Sequence, residues 1–194
     1  MDSNVAFLRF EQYLKSHQIR YFLDRDDETE RISMCYSGCQ NCPDNTLEAC
    51  IWFYEGSMEA RVYFDKNASG WVRKHSAQHA ALYRLLNYIN ASVWLTLSDG
   101  SGSGLYKPSH LYTPRLYITE DECYDITLAT IIPYDFYELA PLETEDYITA
   151  YCPELMDRIS IPIFGVLLEN MSIGEAILYV KKYIINEDDE EETN

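Results

Sequence analysis

The chain has 194 residues, and its 15 Lys and Arg stand against 32 Asp and Glu, a formal net charge of −17 at pH 7. That balance lacks the clustered cations that a nucleic-acid backbone or an anionic membrane demands, so the expected partners are proteins, basic ones included. With 47% apolar residues, the length is enough to bury the core of one generous domain without a disulfide or a metal.

At the N-terminus Asp2 or Ser3 can cap a helix in which Phe7, Phe10 and Leu14 fall at i, i+3 and i+7, predicting an amphipathic segment to about Lys15. Residues 24–31 are almost wholly charged and read as a solvated loop, followed by a first strand over 32–36 that stops at Ser37-Gly38. A cysteine-rich insert comes next. Runs over 49–54 and 58–65, separated by Glu55-Gly56-Ser57, predict a hairpin, because Ala60, Val62 and Phe64 alternate with Arg61, Tyr63 and Asp65. Ser76 is placed to cap a second helix carrying Leu82, Leu85, Leu86 and Ile89 on one stripe, with Asn87 and Asn90 at its fraying end.

Residues 93–97 suit a short strand, and the Ser-Gly run over 98–104 suits a flexible loop. Segments 111–119 and 123–132 predict another antiparallel pair, with Pro114 tolerable only at an edge or bulge. The last third reads as helical, over 144–151 and then from Pro153, with Pro162 interrupting or kinking it. Ser172-Ile173-Gly174-Glu175 is a capping box opening a helix with Ile173, Ile177, Val180 and Ile184 on one stripe. Six consecutive carboxylates over 187–192 repel one another, so 187–194 is expected to be a disordered acidic tail. The expected architecture is one α+β domain over 1–186, a two-layer sandwich with an antiparallel sheet of five or six strands packed against helices. The 17 tyrosines suit such strands, being apolar along the ring and wet at the hydroxyl.

Chemistry is carried most sharply by Cys35, Cys39, Cys42 and Cys50, spaced C-x3-C-x2-C-x7-C. Four thiolates so crowded can converge on one tetrahedral structural zinc, closed to water and substrate; the alternative is free thiols and no cofactor. The first three also resemble the cluster motif of radical S-adenosylmethionine enzymes, but those are built on repeated strand-helix units and this pattern is not. His75 and His79 sit four apart without an HExxH glutamate, and no serine lies in a G-x-S-x-G elbow. No catalytic residue is therefore assigned, and a non-enzyme is expected. Neither a charged-then-apolar leader at Met1-Asp2-Ser3-Asn4 nor a membrane-length apolar run is visible, so a cytoplasmic location is expected.

Three stretches carry a resemblance: the charged segment 24–30 leading into 32–36, the helix over 82–90, and Pro153-Glu154-Leu155 followed by Met171-Ser172-Ile173-Gly174-Glu175-Ala176. Together they resemble the YbjN-type bacterial proteins described as sensory-transduction regulators, and beyond them the type III secretion chaperone-like fold. The resemblance implies a small sandwich without catalytic residues that pairs with itself or holds a protein partner. Three functions follow as expectations: a noncatalytic protein-binding or regulatory, chaperone-like module; an immunity-like acidic inhibitor of a basic toxin; or a cysteine-cluster metal or redox protein.

Overall fold

Asp2 caps the first helix, its carboxylate accepting the Val5 amide at 2.8 Å, and α1 runs Ser3–Ser16 with Ala6, Phe7, Phe10, Tyr13 and Leu14 buried. The computed structural model describes residues 1–26, 29–93, 96–98, 106–108, 114–119 and 121–185. Strands β1 (Tyr21–Asp26), β2 (Thr29–Ser37), β3 (Thr46–Phe53) and β4 (Ser57–Phe64) follow as an antiparallel meander. The charged segment expected to be a loop instead supplies the facing ends of two paired strands, residues 24–26 of β1 against 29–31 of β2. Register sets Asp24 opposite Arg31, whose guanidinium donates to the Asp24 carboxylate, and opposite charges facing across strands favour that pairing. Charge on an edge strand such as β1 also discourages further strand addition.

After β4 come α2 (Lys66–Lys74), a single tight turn over Ser76–Gln78, and α3 (His79–Ser92). Ser76 does not cap α3, which begins directly from that turn without a side-chain cap. Short strands β5 (Thr96–Ser98) and β6 (Tyr106–Pro108) pair with each other; Ser98, the first residue of the loop expected over 98–104, belongs to β5, and the rest of that loop lies outside the described residues, as does the expected acidic tail over 187–194. Strand β7 (Arg115–Ile118) returns through β8 (Ile126–Pro133), which inserts beside β4 and completes the order β1-β2-β3-β4-β8-β7. The result is the expected α+β sandwich with a six-stranded antiparallel sheet.

The remaining chain is helical: α4 (Tyr134–Leu139), α5 (Pro141–Asp146), a wider turn over Tyr147–Tyr151, α6 (Cys152–Leu167) and α7 (Ile173–Tyr179), which continues as a wider coil over Val180–Ile185. The wide turn precedes Pro153, and the Cys152 amide reaches back five residues to the Tyr147 carbonyl. Pro162 lies inside α6 without ending it. The capping box forms as expected, the Glu175 amide donating to Ser172 Oγ and the Ser172 amide to the Glu175 carboxylate. No described helix is long and apolar enough to cross a membrane.

One face of the sheet takes the helices. Ile32, Met34, Leu47, Ile51, Phe53, Met58, Val62, Phe64, Leu116 and Leu128 share a cluster with the buried apolar residues of the helices. Phe7 meets Phe53 edge-on at 5.4 Å and Phe164 of α6 meets Phe64 at 5.0 Å, so α1 and α6 cover the centre of the sheet. Helix α3 reaches β7, while α7 lies against α3 and α6; its stripe, expected on the sheet, packs on helices instead. No described helix contributes a buried apolar residue to the opposite face.

Candidate functional site

The loop between β2 and β3 is tightly wound by its own backbone. Gly38, with φ of +88°, and Cys39 both donate their amides to the Asn45 carbonyl, and the Cys42 amide donates to the Cys39 carbonyl at 3.0 Å. Only glycine takes that φ without strain, which accounts for Gly38 at the strand exit. Asp44 and Asn45 follow in the left-handed region, which short polar side chains tolerate better than others. Cys39 and Cys42 therefore end up on the same side of one turn.

Helix α6 closes the site from the other layer. Asp157 accepts the Asn41 amide on Oδ1 and the Asn41 side-chain NH2 on Oδ2, both at 3.0 Å. The Cys42 thiol donates to Asp157 Oδ1 at 3.3 Å, and Ser160, one turn further along α6, donates to the Asn41 carbonyl. The Cys39 and Cys42 sulfurs and a carboxylate oxygen of Asp157 all lie within 4.8 Å of one another, a grouping that could hold a metal ion. Cys42 is buried and Cys39 half-buried. Burial, reinforced by the hydrogen bond to Asp157 and its charge, pushes the Cys42 thiol well up; burial and the same carboxylate raise Cys39 as well. Both shifts favour the protonated thiol over the thiolate.

The four-cysteine set expected from the sequence does not converge. Side chains alternate along a strand, and Ile32 and Met34 point into the core, so Cys35 on β2 points to the opposite face and is exposed. Cys50 on β3 points to that same far face, within 3.4 Å of Ser33 Oγ and 3.2 Å of Tyr63 Oη. A single sheet thus separates Cys50 from the Cys39 and Cys42 pair. Asp157 was not identifiable beforehand: it lies 115 positions from Cys42 in a helix with no metal or catalytic spacing of its own.

Two of the histidines, His79 and His17, are otherwise engaged. His79 Nε2 lies 2.8 Å from the Val72 carbonyl, and His17 stacks on Tyr13 at 4.2 Å with Nδ1 3.0 Å from that residue's own carbonyl. A second polar cluster ties α1 to the segment after α4. Tyr13 Oη donates to Asp146 at 2.7 Å and lies 3.1 Å from Thr149 Oγ1, and burial pushes its phenol up to about 12. Tyr137 Oη donates to the buried Glu145 at 2.5 Å. Each of these groups has a partner, as structural polar groups in an interior must.

On the far face of the sheet Arg61 lies over the Trp52 ring at 4.9 Å while Nε donates to Glu59 at 2.8 Å. Phe22 and Ile131, on the same face by strand alternation, are 70% and 54% exposed. Searches against protein-family models, curated proteins and solved structures find no match to this chain, so its reading rests on its own residues.

Proposed function

We propose that this protein is a noncatalytic regulatory module that holds a basic protein partner, in the manner of a chaperone, on the sheet face turned away from its helices. The observation that carries this reading is that face itself, where Phe22 on β1 and Ile131 on β8 stand 70% and 54% exposed on strands either side of those that carry the Trp52–Arg61 stack. Aromatic and arginine side chains grouped on an exposed surface are the usual anchors of a protein interface. The net charge of −17 supports a basic partner, since it would steer cationic surfaces towards the molecule and make association slow as salt rises. The resemblance to YbjN-type regulators agrees with the same reading.

The test is affinity capture from a native lysate with the wild-type protein and with a Phe22→Asp, Ile131→Asp variant. A stoichiometric basic polypeptide, lost on substitution and associating more slowly at high salt, is the expected result. Recovery of the bare protein, or of a polypeptide that the variant still holds, would defeat the reading.

A second reading concerns the loop site, favoured by the convergence of Cys39, Cys42 and Asp157. We infer that a thiophilic dication such as zinc is taken by these three ligands, two sulfurs and one oxygen, with the fourth position left to a small molecule or water. This differs from a closed four-cysteine centre. Stoichiometric zinc by mass spectrometry, lost on Cys42→Ser, is expected; protein purified without chelator and carrying no zinc would remove the idea.

A further inference from the structure

The turn that unites Cys39 and Cys42 also meets the geometry of a disulfide. A four-residue turn closed by the Cys42 amide on the Cys39 carbonyl holds its end α-carbons within about 7 Å, close to the span a disulfide bridges. The two sulfurs already lie within 4.8 Å, and both are free thiols. Cys39 is half-buried and reachable by a small reagent, whereas Cys42 is shielded beneath α6. Cys39 is therefore the one of the two that a small oxidant can reach, slowly because its thiol is raised, and Cys42 is placed to resolve the product.

We propose that Cys39 and Cys42 form a reversible dithiol–disulfide couple, oxidised by a low-molecular-weight disulfide, whose reduced form is held by Asp157. The Cys39 sulfur attacks one sulfur of the small disulfide; the new bond forms as the old one breaks, and the first small thiol departs with the Cys39 proton. Cys42 then attacks the Cys39 sulfur, and the second small thiol departs with the Cys42 proton. Two protein thiols and one small disulfide become one protein disulfide and two small thiols, so the protein gives up two electrons and two protons.

The role of Asp157 follows from one hydrogen bond. The Cys42 thiol donates to its carboxylate at 3.3 Å, and a disulfide sulfur has no proton to donate. That bond exists only in the reduced form and draws the couple towards it. Closure of the disulfide removes that thiol contact from the hydrogen bonds that fasten the loop to α6, leaving the Asn41 contacts on Asp157 and the Ser160 contact on Asn41 beside the packing of Cys42 in the core, so oxidation weakens the hold of α6 on the loop. The inference stands apart from the partner on the sheet face, which lies on the other side of the sheet.

The full chain carrying Cys35→Ser and Cys123→Ser, which removes the exposed thiols, is equilibrated with glutathione and glutathione disulfide mixtures in the presence of a chelator, then alkylated and mapped by peptide mass spectrometry. Cys39 and Cys42 should lose alkylation together, their peptide lighter by two hydrogens, and a reductant should restore both. Cys42→Ser should instead retain one glutathione on Cys39. Asp157→Asn should move the midpoint to a more reducing mixture by roughly tenfold, the equilibrium weight of one charge-assisted hydrogen bond. Asn41→Ala, which slackens the same loop without touching the thiol, should move it far less. Both thiols remaining alkylated in the most oxidising mixture, or glutathione persisting on Cys39 while Cys42 is intact, would overturn the couple. An equal shift in Asn41→Ala and Asp157→Asn would overturn the part given to Asp157.

Discussion

Glu145 shows how a single buried carboxyl shapes stability. It is buried at the end of α5, accepts Tyr137 Oη at 2.5 Å, and its carboxyl is raised above the usual range by burial, against the opposing effects of the Tyr137 hydrogen bond and the Arg9 charge. A carboxyl raised on folding binds its proton more tightly in the native state than in the unfolded chain. The native state is thus favoured relative to the unfolded one at acid pH, and that advantage is lost as pH rises from the unfolded carboxyl range through the raised native value. Glu145→Gln keeps an acceptor for Tyr137 and removes the charge, so its stability in denaturant should vary less with pH above the ordinary carboxyl range than that of wild type. A parallel pH profile for the two proteins would contradict the assignment. Among the site residues, Cys39 and Cys42 were legible because a C-x2-C turn is local. Asp157 was not, because nothing in the residues around it records that a loop 115 positions away in the chain will dock on α6.

Elements were legible in proportion to how far their own periodicity showed. The Ser172 to Glu175 capping box and the β4 alternation of Met58, Ala60, Val62 and Phe64 each declare themselves within a few residues. Helix α2 does not: it buries only Ala68, Ser69 and Val72, and its clearest local signal is Asp65, whose carboxylate accepts the Asn67 amide at 3.1 Å. Strand β1 was hidden for a different reason, since its charges read as solvation until the strand carrying Arg31 is placed opposite. Asn90 is the sharpest reversal, read as a fraying terminus yet used as a clasp. Its side-chain amide donates to the Leu116 carbonyl and accepts the Leu116 amide, both at 2.8 Å, so it satisfies the outer edge of β7 as a neighbouring strand would. Asn90→Ala leaves those two backbone groups to water and should cost about 1–3 kcal/mol. Amide exchange should locate the loss at Leu116 before the centre of the sheet; unchanged protection there would refute the clasp.

At the scale of the whole molecule, the sheet divides the protein into a packed side and a face turned away from the helices. Leu82 on α3 is fully buried, so Leu82→Ala should cost about 2–5 kcal/mol in denaturant, as a cavity within a packed layer does. Ile131→Thr, on the opposite face and 54% exposed, keeps a β-branched side chain and should change stability by no more than about 0.5 kcal/mol. Comparable losses in both variants would mean that the far face is packed as well. The sequence by itself determined that this is an acidic α+β chain with amphipathic helices, alternating strands and enough apolar surface for a core, because charge, propensity and periodicity are summed over neighbours in the chain. Only the tertiary structure decided the order in which β8 enters beside β4, the packing of α7 on helices instead of the sheet, and the separation of Cys50 from Cys39 and Cys42. Each of those depends on which distant surfaces exclude water together, and on the alternation that sends neighbouring side chains to opposite faces of one sheet.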